Sequence, residues 1–434
     1  DVEPNPNPVG GNGVGFPQNP RFHPLKGPMT TQSLRGMADH GPLHWRGDRT
    51  GGNANPPVDP MDEIAGFLAF NGAFPNLLGR DEGEIRPDEM LRFAEFAMDI
   101  HYPPNPIRQL DNSLRPDERD GRDLFFGRVT DFITNCNGCH KLDRAEGFFG
   151  SGGESTFEGE TQEFKVAHLR NAYQKVGMFG MAKSDFFDEH DTTSTGRQIR
   201  GFGFLHDGGT DTVFRFLSAI VFDLNAVERR NLEAFVMAFE TALAPIVGQQ
   251  VTLDAASDDE AHARVDLLIE RAETDAIWPG GAVTKECELI VTGVVDGGTR
   301  SWLYDGAGQF LPDAADEPKL TGAQLRSLAE TTPLTYTCAP PGAGVRMALD
   351  RDEDGALNRD DEEPASRELI PIPNPSLPDD EPELPGDGGV DAGEPKRNDP
   401  SGCGCSAAGG GADVFALAVV LLGLAARRMR RSLA

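Results

Sequence analysis

Residues 136–140 read Cys136-Asn137-Gly138-Cys139-His140, and no other run limits more tightly what the chain can fold around. Two thiols at this spacing, with an imidazole directly after them, form the C-x-x-C-H pattern of covalent haem attachment. The sulfurs reach the two vinyl groups of one porphyrin as thioethers, and the imidazole reaches the iron as its proximal ligand. A redox dithiol would want a βαβ setting and a zinc half-site a second ligand pair nearby; the surrounding sequence supplies neither. The expected cofactor is haem c, held by Cys136 and Cys139 with His140 on the iron. Redox chemistry or electron transfer outside the cytoplasm is the work such a group implies.

The other axial position separates a carrier from a catalyst. A Met opposite the His closes the iron and raises its potential, whereas an open position admits substrate. Met178 and Met181, in Gly177-Met178-Phe179-Gly180-Met181, are the candidate distal ligands, with His168 and His206 as rivals. Met is also a common gap-filler in cores, so the choice stays open at this point.

Organisation along the chain is uneven. Pro, Gly and Asn crowd residues 1–28, which read as loop. From Asp59 to Val247 the pattern is helical. Pro87-Asp88-Glu89 and Pro116-Asp117-Glu118 each put a Pro at a first helical position with acids behind it. Phe214–Phe222 and Leu232–Leu243 read as two further helices. From Val251 to Ala348 a helix around Ala261–Ala272 is followed by strand-like Leu289-Ile290-Val291-Thr292, Val294-Val295 and Leu334-Thr335-Tyr336. Cys287 and Cys338 flank this stretch and are expected to pair in an oxidising compartment. Residues 362–402, dense in Pro, Asp, Glu and Gly, cannot bury enough to offset ordering entropy. The fold class expected is mainly α: a cytochrome c-like helical haem domain, a small α/β module, an acidic disordered spacer and a C-terminal hydrophobic helix. The expected boundaries are 1–115 for the remainder of a first haem domain and an inter-domain segment, 116–250 for the haem domain and 251–348 for the module. A loop at 349–362, the spacer at 363–402 and a tail at 403–434 complete the chain. A net charge of -30 over 434 residues excludes nucleic acid as a partner and suits basic ones.

Asp350-x-Asp352-x-Asp354-Gly355-x-x-Asn358-x-x-Asp361 has the spacing of a calcium loop of EF-hand type, with Ala356 offering its carbonyl. Calcium is the expected ion, held by Asp350, Asp352, Asp354, Ala356, Asn358 and Asp361. Asp361 stands where a Glu is usual, so a stiffening loop is expected rather than a sensor. In the tail, Gly402-Cys403-Gly404-Cys405 precedes 13 apolar residues, Val414 to Ala426, and then Arg427, Arg428, Arg430 and Arg431. This order resembles the myxobacterial C-terminal sorting signal, which implies an exported protein held in the periplasm or at the cell surface, with a membrane contact through the tail. The apolar run alone is short of the ~20 residues that span a bilayer.

The stretch from Met29 to Gln250 resembles the dihaem cytochrome c peroxidase family. Three segments carry the likeness: Arg115-Pro116-Asp117-Glu118 through Gly127 into the haem motif; Phe164-Lys165-Val166-Ala167-His168-Leu169-Arg170-Asn171 with Phe204-Leu205-His206-Asp207-Gly208; and Thr30–Leu34 with Leu43-His44-Trp45-Arg46-Gly47-Asp48. The resemblance implies a haem domain that passes electrons to a first, peroxide-reducing haem, whose motif is expected before Asp1. It makes Trp45 the candidate electron relay between the haems, although the family's W-D-G-R reads Trp45-Arg46-Gly47-Asp48 here. The implied partners are a redox protein or small electron donor, and hydrogen peroxide. A stand-alone electron carrier without peroxidase activity is the alternative.

Overall fold

The computed structural model describes residues 3–4, 21–22, 29–45, 58–59, 61–131, 133–143, 155–157, 163–177, 201–278 and 281–365. Residues up to Pro364 form one unit. Met178, Met181, Arg46-Gly47-Asp48, the acidic spacer and the sorting-type tail lie outside the described residues. Among the described residues no helix is long and apolar enough to cross a membrane.

Two residues of β1 (Glu3–Pro4) pair with β2 (Arg21–Phe22). Asp62 caps α1 (Glu63–Leu68) by accepting from the backbone of Ala65, and α2 (Ala73–Asn76) follows. Pro87 sits at the start of α3 (Pro87–Met98), whose buried stripe is Met90, Ala94, Ala97 and Met98. That stripe packs with Met37, Leu43 and Phe67. Pro116 likewise opens α4 (Pro116–Phe126), where the Glu118 carboxylate accepts from the backbone of Arg115. α5 (Cys136–Cys139) is the single turn carrying the cysteines, and β3 (Ser155–Phe157) pairs with β4 (Glu163–Lys165). α6 (Val213–Phe216) is only four residues long, and α7 (Ala226–Met237) begins at an Asn225–Glu228 capping box. The helix expected at Phe214–Phe222 thus stops early, and the one expected from Leu232 starts a turn and a half sooner, where Asn225 satisfies its first backbone donors. Phe125, Leu232, Phe235, Val236 and Phe239 join α4 to α7, and Leu217 and Leu142 close that core.

Past Gly248 the character changes. β5 (Gln250–Leu253) leads to α8 (Asp259–Glu273), then the hairpin of β6 (Asp275–Ile277) and β7 (Val283–Lys285). β8 (Glu288–Val295), β9 (Gly298–Tyr304), β10 (Gln309–Pro312), β11 (Leu320–Thr321), α9 (Gly322–Ala329) and β12 (Leu334–Ala339) complete it. Their sheet has six strands in the order β11-β10-β9-β8-β12-β5, every neighbour antiparallel. Asp296 (φ 51°) and Gly297 (φ 81°) supply the two left-handed residues that a tight β8–β9 hairpin needs. One face buries Leu289, Val291, Trp302 and Tyr336 against Val265 and Leu268 of α8 and Leu325 of α9.

This sheet overturns the expectation of a mainly α fold. Of its six strands the sequence pattern predicts β8 and β12, while β5, β9, β10 and β11 escape it. Arg300 and Ser301 interrupt the apolar pattern of β9 and are held by Asp313, while β10 lies among Gly, Asp and Pro. Among the described residues between 59 and 247, only α3, α4 and α7 are longer than six residues.

Candidate functional site

The Cys136–His140 motif follows α4. Asn135 caps the α5 turn, its Oδ1 accepting from Gly138 N at 3.0 Å. Its amide donates to Phe126 O at 2.8 Å, fastening the turn to α4. A Cβ at Gly138 would stand 2.0 Å from Thr134 Oγ1, so a side chain at position 138 would displace Thr134. Cys136 and Cys139 are both half-buried, and Cys136 packs into the α4–α7 core. Burial pushes the Cys136 thiol up, eased by a contact from Thr130 Oγ1 to its Sγ at 3.8 Å. A thiol held protonated is unlike the low-pKa cysteine of a redox dithiol.

His140 Nδ1 lies 2.7 Å from Ala167 O. A carbonyl only accepts, so Nδ1 carries the proton and Nε2 keeps its lone pair for a metal. Burial lowers the imidazole's pKa, which favours that neutral form. Backbone carbonyls hold metal-binding histidines in this way, fixing ring and tautomer. Cys136, Cys139 and His140 therefore have the donor chemistry and preset tautomer that a covalent haem requires.

The segment supplying Ala167 also organises the neighbouring side chains. Lys165 N donates to Trp45 O at 3.0 Å, and Trp45 Nε1 donates to Thr30 O at 2.7 Å. The Trp45 ring is buried, with the Lys175 ammonium 5.9 Å from its centroid. Trp45 is thus hydrogen-bonded through its backbone to Lys165, two residues before the Ala167 that orients His140. His206 stacks on Phe164 at 3.9 Å between centroids, and its carbonyl accepts from Thr30 N at 2.8 Å.

His168 belongs to a buried cluster that no local pattern announced. Its ring stacks with His40 at 5.2 Å, and its Nε2 is 3.4 Å from Tyr102 Oη. Arg170 lies over the Tyr102 ring and donates to Gly36 O at 2.7 Å. Burial, with Lys165 and Arg170 nearby, holds His40 well below its ordinary pKa; burial, His40 and Arg170 do the same for His168. Glu63 accepts from Gly41 N at 2.7 Å and His40 N at 3.2 Å, and burial pushes its carboxyl up to about 7. Positions 40, 63, 102 and 168 share no sequence spacing that could have grouped them.

At the other end, Asp350, Asp352 and Asp354 each offer a carboxylate oxygen within 4.8 Å of the others. Burial, then Asp354, Asp361 and Asp350, push the Asp352 carboxyl up. Asn358 closes this loop instead of pointing into it: its Oδ1 accepts from Arg351 N and its Nδ2 donates to Ala348 O, both at 2.9 Å. Cys287 and Cys338 form a disulfide, both sulfurs lying inside the sheet core.

Comparison with known proteins yields little. No family model and no curated protein matches the chain. Among solved structures, hydrazine synthase of Kuenenia stuttgartiensis, studied under 20 bar of xenon, is similar at a TM-score of 0.31 and 15% identity. The match covers 49% of this chain and 72% of that one. A TM-score this low assigns no fold to the chain.

Proposed function

We propose that the chain is a c-type cytochrome of the cell envelope, the electron-transfer haem part of a protein resembling dihaem cytochrome c peroxidases. The observation that best supports this reading is the His140 Nδ1 to Ala167 O bond beside the capped Cys136–Cys139 turn. Cys136 and Cys139 would carry the porphyrin and His140 Nε2 the iron. When bound, that group supplies a one-electron carrier. The chain's own residues do the positioning: Asn135 and Gly138 shape the attachment turn, Ala167 sets the imidazole, and the α4–α7 aromatics exclude water. Met178 and Met181 remain the proposed distal ligands, and Trp45, hydrogen-bonded and buried, the proposed relay. The buried Cys287–Cys338 disulfide supports an oxidising compartment, in keeping with export and with retention through the tail. A net charge of -30 favours a basic redox protein as the electron donor, with hydrogen peroxide reduced at a first haem elsewhere.

The test is direct. With export and haem-attachment machinery supplied, the wild-type chain stains for haem on a denaturing gel, and the Cys136→Ser, Cys139→Ser double variant does not. Stain retained by the double variant overturns the reading. Efficient peroxide turnover by this chain alone would instead contradict the electron-entry role.

A further inference from the structure

We propose that residues 350–361 bind one calcium ion, and that the ion fastens the loop and the preceding π turn, Val345–Leu349, to the outer face of the sheet. Acidic clusters are common without ions, so the three converging carboxylates do not carry this alone. The second observation is Asp352. It is only 7% exposed, and its Oδ2 is buried without a hydrogen-bond partner. The charges facing it are the like charges of Asp354, Asp361 and Asp350. A buried carboxylate surrounded by carboxylates is costly unless a cation joins them.

The loop is already shaped to receive one. Asp350 Oδ1 accepts from Glu353 N at 2.7 Å and its Oδ2 from Gly355 N at 3.0 Å. Gly355, at φ 96°, makes the sharp turn that brings alternate side chains to one centre. Asn358 spends its amide on loop closure, which leaves Asp350, Asp352, Asp354 and Asp361, with the Ala356 carbonyl, as the donor set. Oxygen donors in an irregular loop suit calcium, whereas magnesium demands a near-ideal octahedron and zinc prefers nitrogen and sulfur.

What the ion would fasten follows from the loop's other face. Leu357 packs with Ile290, Leu303, Ala339, Ala348 and Leu349. Asn358 N donates to Leu349 O at 2.7 Å, Arg359 N to Asp313 O at 3.1 Å, and Ala315 N to Asp360 Oδ2 at 2.7 Å. Residues 357–360 thus grip β8, β9, β12 and the turn after β10. Releasing like-charge repulsion inside the loop would tighten that grip.

The experiment uses the full chain stripped with a chelator and titrated calorimetrically with calcium and with magnesium. One calcium per chain is expected, with a Kd of about 1 mM or tighter, and magnesium at least about tenfold weaker. Amide exchange across residues 345–365 should slow several-fold with calcium. Asp354→Asn, at an exposed position, should weaken calcium about tenfold or more without loss of fold. Asp352→Asn should weaken calcium too, yet raise the melting temperature of the metal-free protein by removing a buried, uncompensated charge. No calcium uptake up to about 10 mM, well above the weakest loops of this kind, or uptake unchanged in both variants, overturns the site. Uptake without slower exchange at 345–365 overturns the fastening. Neither readout involves haem, so the site stands or falls separately from the redox reading.

Discussion

His140 and Glu63 are each held by backbone hydrogen bonds, with opposite consequences for charge. His140 donates to one carbonyl and is kept neutral, as a ligand must be. Glu63 accepts from two backbone N–H groups, yet burial still raises its carboxyl to about 7, against an ordinary value of 4.5. The folded state therefore holds an extra proton between those values, and stability falls as pH rises through that window. Glu63→Gln keeps an oxygen acceptor and cannot ionise. Its advantage over wild type should be larger at pH 8 than at pH 4.5, by roughly 2 to 3 kcal/mol after allowing for partial exposure. Denaturant melts at the two pH values check this; an equal difference at both would refute it. The C-x-x-C-H motif is plain at this scale because Cys136, Cys139 and His140 are neighbours in sequence. Glu63, His40, Tyr102 and His168 were not, because their environment is made by tertiary contact alone.

At the scale of elements, α4 and α7 form a close helix pair beside the Cys136–His140 motif. A Cβ on Gly121 would come within 1.9 Å of Asn231 O, so the two backbones meet at a glycine. Gly121→Ala gains helix propensity but forces the pair apart, and overpacking of this sort costs about 1 to 3 kcal/mol or more. A lower melting temperature and poorer covalent haem incorporation are expected together, since α4 also anchors the Asn135 cap. A variant as stable as wild type would show that the helices slide freely. α3 and α4 were legible because Pro87 and Pro116 mark first helical turns. β9 was not, because Arg300 reads as a solvated residue until Asp313, thirteen positions on, pairs with it. The Asp296-Gly297 pair is the kind of two-residue signal that marks a β-hairpin in sequence.

Across the whole described unit, the segment before Gly248 and the sheet are joined by directed contacts. Gly248 N donates to Cys338 O at 2.8 Å and Cys338 N to Gln249 O at 3.1 Å, while Arg271 Nη1 donates to Asp111 O at 2.6 Å. Cys338 thus takes part both in β12, which pairs with the chain arriving through Gly248 and Gln249, and in the disulfide. That bond closes a loop with a sequence separation of 51 residues, for which restricting the unfolded chain stabilises by about 4 kcal/mol. A Cys287→Ala, Cys338→Ala variant should lose close to that amount in urea melts followed by fluorescence of the sheet core, where Trp302 is buried. The proposed haem ligands all precede Gly248, and the α4–α7 core is a separate cluster from the sheet core. Covalent haem incorporation in this variant should therefore stay near the wild-type level. If it instead falls in step with sheet stability, the two cores fold as one cooperative body, and the sheet module is part of what holds the haem segment together.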